Sequence, residues 1–369
     1  MKIVVYTSSL APAGGVERVV SKHISFLANK NILILLTKDF ESSFYPLPNN
    51  VIHDSLNIQF QLNLKSRIQR IFVILSGLLK TSWKLHQYLK RSSPDMIYVA
   101  SPLSLLELQI AKIFSGKPTL SNVCVTEHSS HSSYNSFYKL IIKVLYKRVG
   151  LLCVPTQSDY EFYLSQNIQC HYIPNPLPFQ PSKFSHHGNK VVLNVGRLTD
   201  DKQHQALIDI WSQVKNRDDW VLKIIGAGEN YQALQSQIAS LGLQQSVMLF
   251  PTTKNIEDEY ASASIFVLSS RAEGFGLVLL EAMACGLPCI AFDCPSGPRD
   301  IVRNACTGYL IEPGDNASFA KHLERLIASQ PERQALGEQG KLDALLFEGD
   351  LISTKLNGLV NTIFAKGIQ

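Results

Sequence analysis

Two series of short apolar runs alternate with amphipathic segments along the chain. Runs rich in Val, Ile and Leu suit buried strands, and the segments between them repeat apolar residues at helical spacing. The first series predicts strands at Ile3–Tyr6, Ile32–Leu36, Met96–Ala100, Thr119–Val125, Leu151–Val154 and Cys170–Ile173, with helices near 16–28, 66–91, 103–114, 135–148 and 157–165. The second predicts strands at Val191–Val195, Val221–Ile225, Val247–Phe250, Ile265–Leu268, Cys289–Phe292 and Tyr309–Ile311, with helices near 203–215, 229–241, 255–263 and 276–285.

This alternation predicts an α/β protein with two doubly wound, Rossmann-like domains, because parallel strands need helices on both faces of their sheet. Residues 174–188 contain four prolines and no periodic pattern, so they are predicted to be a linker. The expected domains are 1–175 and 190–347, with a helix in 348–369 that returns to the first. Ligands of such sheets lie beyond the carboxyl ends of the strands, so the expected site is a cleft between the domains.

Composition narrows the class of protein. The chain has 369 residues, of which 45% are hydrophobic and 18% charged, as in a folded globular protein. No apolar run reaches the ~20 residues that a membrane-spanning helix needs. The N-terminus lacks a signal-peptide cleavage pattern, and the seven cysteines form no CxxC pair. These features predict a cytoplasmic protein without disulfides or a zinc site.

Charge divides the chain into a basic and an acidic half. Residues 1–180 carry a net charge of +9 and residues 181–369 a net charge of −4. In 137–148, Lys139, Lys143 and Lys147 recur every four residues beside apolar positions, as in a helix that lies on anionic lipid headgroups. A solvated face over a buried stripe explains the same pattern equally well. Aromatic and basic residues are not interleaved as in a nucleic-acid reader, so no nucleic-acid partner is expected.

The most specific chemical pattern is AEGFGLVLLEAMACGLPCIAFD at 272–293. Glu273 follows a predicted strand, and the turn Gly274-Phe275-Gly276 opens a helix at about Leu277. A glycine-rich turn before a helix exposes backbone N–H groups that suit a phosphate. Glu281, one turn into the helix, is placed to hold ribose hydroxyls, and Glu273 to accept hydrogen bonds from a sugar.

Other strand ends carry groups that suit an anionic ligand. Gly14 and Gly15 come before a helix, where free N–H groups favour an anion. Arg197 and Lys202 follow the strand Val191–Val195, and fixed cations stabilise a diphosphate leaving group. The Gly226–Gly228 segment follows another strand, although a lone GxG is a weak signal.

Taken together, these residues resemble the retaining glycosyltransferases of family 4, which have the GT-B fold. The resemblance rests on Glu273 and Glu281 with seven residues between them, and on the following AMACGLPCIA. Gly14-Gly15-Val16-Glu17-Arg18 resembles the N-terminal glycine loop of the family, and Ile173–Pro176 its interdomain entry. Asn194–Leu198 with Lys202 resembles its diphosphate clamp, except that Gln203 stands where the family often has glycine.

The resemblance implies roles for individual residues. The implied catalytic residues are Glu273, His128, Arg197 and Lys202. The implied donor-binding residues are Gly15, Gly226, Gly228, Gly274, Phe275, Gly276, Leu277 and Glu281, and the implied acceptor-binding residues are Gly14 and Arg18. His131 is the alternative candidate for the role implied for His128. Residues 255–260 are expected near the base, and Arg299 and Asp300 are candidates for sugar or phosphate contact unless they merely start a helix capped by Ser296.

The expected activity is retaining transfer of a sugar from a nucleotide sugar, with UDP preferred, to a lipid-linked glycan of a capsule, O-antigen or similar polysaccharide. Attack on the same face as departure is expected. The chain lacks an Asp-x-Asp pair, and Glu257–Glu259 lacks the context of a metal site, so neither a metal nor a cofactor is expected. The expected location is the inner face of the cell membrane. A nucleotide-sugar epimerase and a non-catalytic nucleotide-sugar-binding subunit remain alternatives.

Overall fold

The computed structural model of the chain describes residues 1–58 and 67–364, with the backbone alone given for 67–73. The chain folds into two compact units. The first unit comprises Met1–Pro176 and the chain from Gly349 onward, and the second unit is Leu177–Glu348. No helix in the described part of the chain has the length and apolarity needed to cross a bilayer.

A parallel sheet of seven strands forms the centre of the first unit. Its strands are β1 (Lys2–Tyr6), β2 (Ile32–Thr37), β3 (Ile52–Ser55), β4 (Met96–Val99), β5 (Leu120–Thr126), β6 (Val149–Val154) and β7 (His171–Tyr172), in the order β3-β2-β1-β4-β5-β6-β7. Its first five helices are α1 (Gly15–Ala28), α2 (Arg67–Ser92), α3 (Pro102–Phe114), α4 (Ser136–Leu145) and α5 (Gln157–Ser165). The hydrophobic pattern missed β3, since IHDS is a mostly polar edge strand.

The inner strands of this sheet are buried on both faces. Alternate residues of one strand point to opposite faces. Val4 and Val99 accordingly pack in one hydrophobic cluster, whereas Val5 and Tyr98 pack in the other. This double burial explains the near-continuous apolar runs in the sequence.

The second unit contains a parallel sheet of six strands. These strands are β8 (Val191–Val195), β9 (Val221–Ile225), β10 (Val247–Phe250), β11 (Ile265–Leu268), β12 (Cys289–Phe292) and β13 (Gly308–Ile311), in the order β10-β9-β8-β11-β12-β13. The helices are α6 (His204–Gln213), α7 (Tyr231–Ser240), α8 (Ile256–Ser262), α9 (Leu277–Ala284), α10 (Pro298–Ile301), α11 (Asn316–Ala328) and α12 (Gln330–Ala344). The short α10 is the helix that was the alternative interpretation of Arg299 and Asp300. Its N-cap is Gly297, without a side-chain cap, rather than Ser296.

Each sheet has a point where the strand order reverses. In the first unit it lies between β1 and β4, and in the second between β8 and β11. Loops that follow the two strands at such a point run to opposite sides of the sheet and leave a crevice for a ligand. In the second unit, these are the loops that carry Arg197, Lys202 and Glu273.

The proline-rich stretch 174–188 contains the boundary between the two units, which falls after Pro176, and from Leu177 onward it packs on the second unit. The backbone N–H of Leu177 donates to the carbonyl of Phe347 at 2.7 Å, and the N–H of Ser185 donates to the carbonyl of Cys285 at 2.9 Å. These bonds tie the stretch to the end of α9 and to the C-terminal end of the second unit. Proline prevents helix and sheet hydrogen bonding locally, but it leaves the neighbouring N–H groups available for such contacts.

The C-terminal helix α13 (Gly349–Phe364) packs in the first unit. Ile352, Leu356, Val360 and Phe364 recur at helical spacing and are buried in the cluster that contains Val5 and Tyr98. The last five residues, 365–369, lie outside the described part of the chain.

Candidate functional site

Lys202 and Glu273 form an ion pair at the strand-order reversal of the second unit. Lys202 ends a single 3-10 turn, Asp200–Lys202, after β8, and Glu273 lies in the loop after β11. The Nζ atom of Lys202 is 2.6 Å from Oε1 of Glu273, and the two side chains are only 17% and 10% exposed. The fold thus brings together two of the four residues predicted to be catalytic.

Two further charges lie beside this pair. The Oδ2 atom of Asp201 is 3.7 Å from Nζ of Lys202. Partial burial raises the pKa of Asp201, but the Thr199 hydroxyl and the charges of Lys202 and Arg197 outweigh it, so the pKa falls below its ordinary value. Arg197 is exposed, and no hydrogen bond or ion pair of its side chain is found within the described residues. Its guanidinium is therefore available to an anionic ligand.

The loop keeps a glycine-like backbone although Gln203 replaces the glycine of the family pattern. Gln203 has φ +51° and ψ 39°, in the left-handed region that glycine adopts most readily. Directly after it, α6 begins at His204. Gln203 therefore adopts a backbone conformation that glycine would adopt without strain.

The turn before α9 is shaped by close backbone packing. Gly276, the N-cap residue of α9, has φ +94° and no capping side chain. The Phe275 ring is buried 5.9 Å from the Phe347 ring, so only the backbone of Phe275 is available to a ligand. A Cβ atom on Gly297 would lie 2.2 Å from the Phe275 carbonyl oxygen, which explains the glycine there.

Glu281 is buried rather than open on its helix. The Tyr260 hydroxyl donates a hydrogen bond to its Oε2 atom at 2.8 Å. Tyr260 belongs to α8, in the 255–260 segment expected near the base. The contact therefore joins two stretches that were predicted independently to bind the nucleotide.

The Gly226–Gly228 segment has a structural reason for its glycines. A Cβ atom on Gly226 would lie 1.8 Å from the Gly196 carbonyl oxygen, and one on Gly228 would lie 2.4 Å from the Leu198 carbonyl oxygen. The segment therefore packs directly against the loop that carries Arg197. Close loop packing accounts for both glycines without a ligand, and their role in donor binding stays a prediction.

In the first unit, His128 and His131 have different environments. Nδ1 of His131 is 2.6 Å from Oδ1 of Asp159, and its ring stacks on Phe162 at a centroid distance of 3.8 Å. Nε2 of His128 is 2.9 Å from Oγ1 of Thr126, and burial lowers the pKa of His128 to about 3. His131 is engaged by structural partners on both sides, so His128 is the stronger candidate for ligand contact.

The glycine loop at the start of α1 is partly filled by its own helix. Gly14 is the N-cap residue, and a Cβ atom there would lie 2.1 Å from Oε2 of Glu17. A carboxylate in the first turn is stabilised by the positive end of the helix dipole. The guanidinium of Arg18 lies 5.3 Å from the centroid of the Tyr45 ring. An anion at Gly14 and Gly15 would have to displace or accommodate Glu17.

The apolar side chains of α4 are divided between core and surface. Ile141 and Leu145 are buried, whereas Phe137, Leu140 and Val144 are 54%, 61% and 50% exposed. The exposed set lies on the same helix as Lys139 and Lys143, and Lys147 follows in the 3-10 turn Tyr146–Arg148. The surface of α4 is therefore both basic and apolar, which a merely solvated face does not require.

Glu127 is a buried acid that sequence reasoning did not identify as a functional candidate. The hydroxyls of Tyr146 and Tyr163 donate to its carboxylate. Burial, which is the largest influence, raises the pKa of Glu127 to about 7, although the tyrosine hydrogen bonds oppose the rise. Its only signal in the sequence is its position, an acid directly before His128 at the end of an apolar strand.

Comparison with known proteins finds a family model that the second unit matches and similar proteins of full length. Residues 178–343 match the family described as glycosyl transferases group 1. The amylovoran biosynthesis glycosyltransferase AmsD of Erwinia amylovora is 28% identical, over 98% of this chain and 99% of that protein. The matched residues cover nearly the whole second unit, Leu177–Glu348.

Solved structures agree in fold over the full chain. The apo form of the lipopolysaccharide outer core galactosyltransferase WaaB superimposes with a TM-score of 0.77 at 23% identity, over 99% of this chain and 100% of that one. A mutant of Staphylococcus aureus TarM, in complex with fondaparinux, α-GlcNAc-glycerol and UDP, gives 0.77 at 15% identity, over 98% and 99%. The chain has the GT-B fold.

Proposed function

We propose that this chain is a retaining glycosyltransferase that moves a sugar from a UDP-sugar to a lipid-linked glycan during assembly of a bacterial surface polysaccharide. The observation that carries the proposal is the Lys202–Glu273 pair beside the exposed Arg197, at the strand-order reversal of a group 1 glycosyl transferase domain. UDP is supported by its presence in the TarM complex. Polysaccharide assembly is supported by the name of the Erwinia amylovora relative.

The charged residues of the site have different proposed roles. Arg197 and Lys202 hold the diphosphate, and Glu273 accepts hydrogen bonds from the transferred sugar. The acceptor hydroxyl attacks the anomeric carbon from the face that the diphosphate leaves. The bond from that carbon to the phosphate oxygen breaks, and the hydroxyl proton passes to the departing phosphate. Two fixed cations supply the electrostatic stabilisation, so we propose transfer without a metal ion.

Donor binding must rearrange the ion pair. Lys202 contacts Glu273 directly, whereas both side chains are proposed to contact the bound donor. The diphosphate then takes the place of the Glu273 carboxylate as the anionic partner of Lys202. A half-buried cation left without a partner is costly, so the diphosphate must supply the negative charge that Glu273 no longer provides.

Thermal unfolding with UDP, GDP and ADP, in EDTA, tests the donor site. A ligand at ~100 times its dissociation constant adds roughly 2.7 kcal/mol, which raises the melting temperature. We expect UDP to raise it most, and Lys202→Ala to remove most of that rise. Lys190→Ala is the control, because Lys190 pairs with Asp219 before β8 begins, at the other end of the strand. Equal shifts in the two variants would reject the assignment of Lys202.

Turnover with a defined lipid-linked acceptor tests the reaction itself. We expect sugar transfer that depends on the acceptor, with the anomeric configuration of the donor retained in the product. Glu273→Gln should lower transfer by at least a hundredfold while the melting temperature stays within a few degrees. Conversion of the nucleotide sugar without an acceptor would favour an epimerase, and nucleotide binding without any turnover would favour a binding subunit.

A further inference from the structure

Hydrogen bonds other than the Lys202–Glu273 ion pair join the loop after β8 to the loop after β11. The Ser269 hydroxyl donates to the backbone carbonyl of Lys202 at 2.8 Å. Two residues further along, the backbone N–H of Arg271 donates to the carbonyl of Asp201, also at 2.8 Å. The loop that carries Glu273 therefore binds the backbone at Lys202 as well as its ammonium group.

A buried asparagine on β8 connects β11 to the start of α6. Nδ2 of Asn194 donates to the carbonyl of Val267 on β11 at 2.8 Å, and Oδ1 of Asn194 is 3.0 Å from Nε2 of His204, the first residue of α6. The Val267 carbonyl can only accept, so it fixes the orientation of the amide and leaves the amide oxygen facing His204. An amide oxygen also only accepts, so the proton of the ring lies on Nε2. The other ring nitrogen, which is buried without a hydrogen-bond partner in the described part of the chain, is then a lone pair and not an N–H.

These three side chains are too deeply buried to contact a ligand. Ser269, Asn194 and His204 are 0%, 2% and 3% exposed. Burial, with a smaller contribution from the charge of Lys202, lowers the pKa of His204 to about 4, so its ring is neutral at pH 7. A hydroxyl, an amide and a neutral imidazole also add no charge to the site. Their effect on the site must therefore pass through the backbone that they hold.

The part of the loop that carries Arg197 is held by a different neighbour. The N–H groups on either side of it, those of Gly196 and Leu198, donate to the carbonyls of Ile225 and Ala227 at 3.0 and 2.9 Å. Arg197 is thus fixed to the end of β9 and the loop that follows, whereas the other cation of the site is fixed to the loop after β11.

We propose that Ser269, Asn194 and His204 are positioning residues for the backbone at the lysine of the ion pair. They hold this backbone whether or not the ammonium group is paired with Glu273. Donor binding then exchanges the partner of Lys202 by side-chain movement alone, while the loop stays in place. The inference rests on the proposed function only for the identity of the ligand, the diphosphate of a nucleotide sugar. A loop that is fixed before the ligand arrives loses less conformational entropy on binding.

Hydrogen exchange tests the positioning role without any ligand. The N–H of Arg271 lies between the two loops, and its exchange is followed in ¹H–¹⁵N spectra of the labelled protein. Ser269→Ala and His204→Leu should each speed its exchange by about fivefold to tenfold, because each removes a hydrogen bond that holds the loops together. Glu273→Gln removes the charge of the ion pair and should change the exchange rate by less than twofold.

Two variants serve as matched controls. Ser270 is a neighbouring serine, 1% exposed, whose hydroxyl has no hydrogen-bond partner among the described residues, so Ser270→Ala should leave the exchange rate unchanged. His204→Gln retains a side-chain N–H donor for Asn194 and should exchange more like the wild type than like His204→Leu.

Affinity for UDP, measured by calorimetric titration, then tests whether Ser269 acts through Lys202. Ser269→Ala should raise the Kd for UDP by about fivefold when Lys202 is present, but by less than twofold in the Lys202→Ala variant. Such non-additivity is expected of a residue that acts through another, whereas a general structural effect is the same in both backgrounds. Ser270→Ala should leave the Kd unchanged in both.

Three results would overturn the proposal. One is exchange at Arg271 that is unchanged in both Ser269→Ala and His204→Leu, and another is exchange as fast in Glu273→Gln as in those two variants. The third is an equal effect of Ser269→Ala on UDP affinity with and without Lys202. The exchange measurement needs no nucleotide, so a wild-type chain that fails to bind UDP would reject the proposed donor and leave the test of the positioning residues intact.

Discussion

At the scale of single residues, Glu127 makes the stability of the first unit depend on pH. Its pKa is about 7 in the folded chain, against an ordinary value of 4.5, mainly because it is buried. Between these values the folded chain holds a proton that the unfolded chain has released. The contribution of Glu127 to folding is therefore present below about pH 4.5 and is lost as pH rises toward about 7.

Glu127→Gln should remove this dependence. The difference in unfolding free energy between variant and wild type should change by up to about 3 kcal/mol between about pH 4.5 and 7, in favour of the variant as pH rises. Urea unfolding across this range measures it. Glu161→Gln, at an exposed position on α5, is the control and should give a constant difference. A constant difference for Glu127→Gln as well would contradict a raised pKa.

Gln203 provides a second prediction at this scale. A side chain in the left-handed region costs about 1 kcal/mol, and glycine avoids that cost. Gln203→Gly should therefore raise the unfolding free energy of the second unit slightly, by up to about 1 kcal/mol. Gln205→Gly, in the first turn of α6, should lower it by a similar amount because glycine disfavours a helix. Denaturant titration of both variants checks the sign, and destabilisation by Gln203→Gly would show that its side chain has a compensating role.

At the scale of elements, α4 tests the membrane part of the proposal. Its exposed Phe137, Leu140 and Val144 accompany lysines on a helix that also packs Ile141 in the core. Each lysine near an anionic surface contributes about 1 kcal/mol to binding. The triple change of Lys139, Lys143 and Lys147 to Glu should thus abolish cosedimentation with vesicles rich in anionic lipid.

A second triple variant separates lipid binding through α4 from a general effect of net charge. Changing three lysines of the second unit to Glu (Lys190, Lys215 and Lys321) alters the net charge by the same amount and should leave cosedimentation unchanged. Equal loss in both triple variants would indicate non-specific electrostatic attraction. Retention in the α4 variant would place the lipid-binding surface elsewhere or reject it.

How well each element could be predicted from the sequence depended on how much of the element is buried. Strands covered on both faces, such as β1 and β11, are continuous apolar runs, and the sequence predicted them within a residue or two. The edge strand β3 has no such run, because none of its four residues is fully buried. For the site, the sequence predicted that Lys202 and Glu273 each follow a strand, whereas the pairing of these strands, β8 and β11, was seen only in the structure. The direct contact of the two side chains, the burial of Glu281 and the partners of His128 could not be predicted, because each depends on side-chain packing between distant segments.

At the scale of the whole molecule, the chain crosses between the units twice, and the second crossing makes the first unit depend on the C-terminus. α13 follows the entire second unit in sequence but buries Ile352, Leu356, Val360 and Phe364 in the core of the first. Burial of one such side chain is worth roughly 1.5–3 kcal/mol. Four of them amount to a large part of the 5–15 kcal/mol that holds a domain folded.

A chain ending at Glu348 should therefore lose the first unit and keep the second. We expect calorimetry to show a retained transition that UDP still raises, and hydrogen exchange to show lost protection in β1–β7 alone. A chain ending at Phe364 is the control and should behave as wild type. Protection that persists in β1–β7 after truncation at Glu348 would mean that the seven-stranded sheet is stable without α13. Loss of the UDP effect would mean instead that donor binding needs groups from the first unit, where Gly15 and His128 are the candidates.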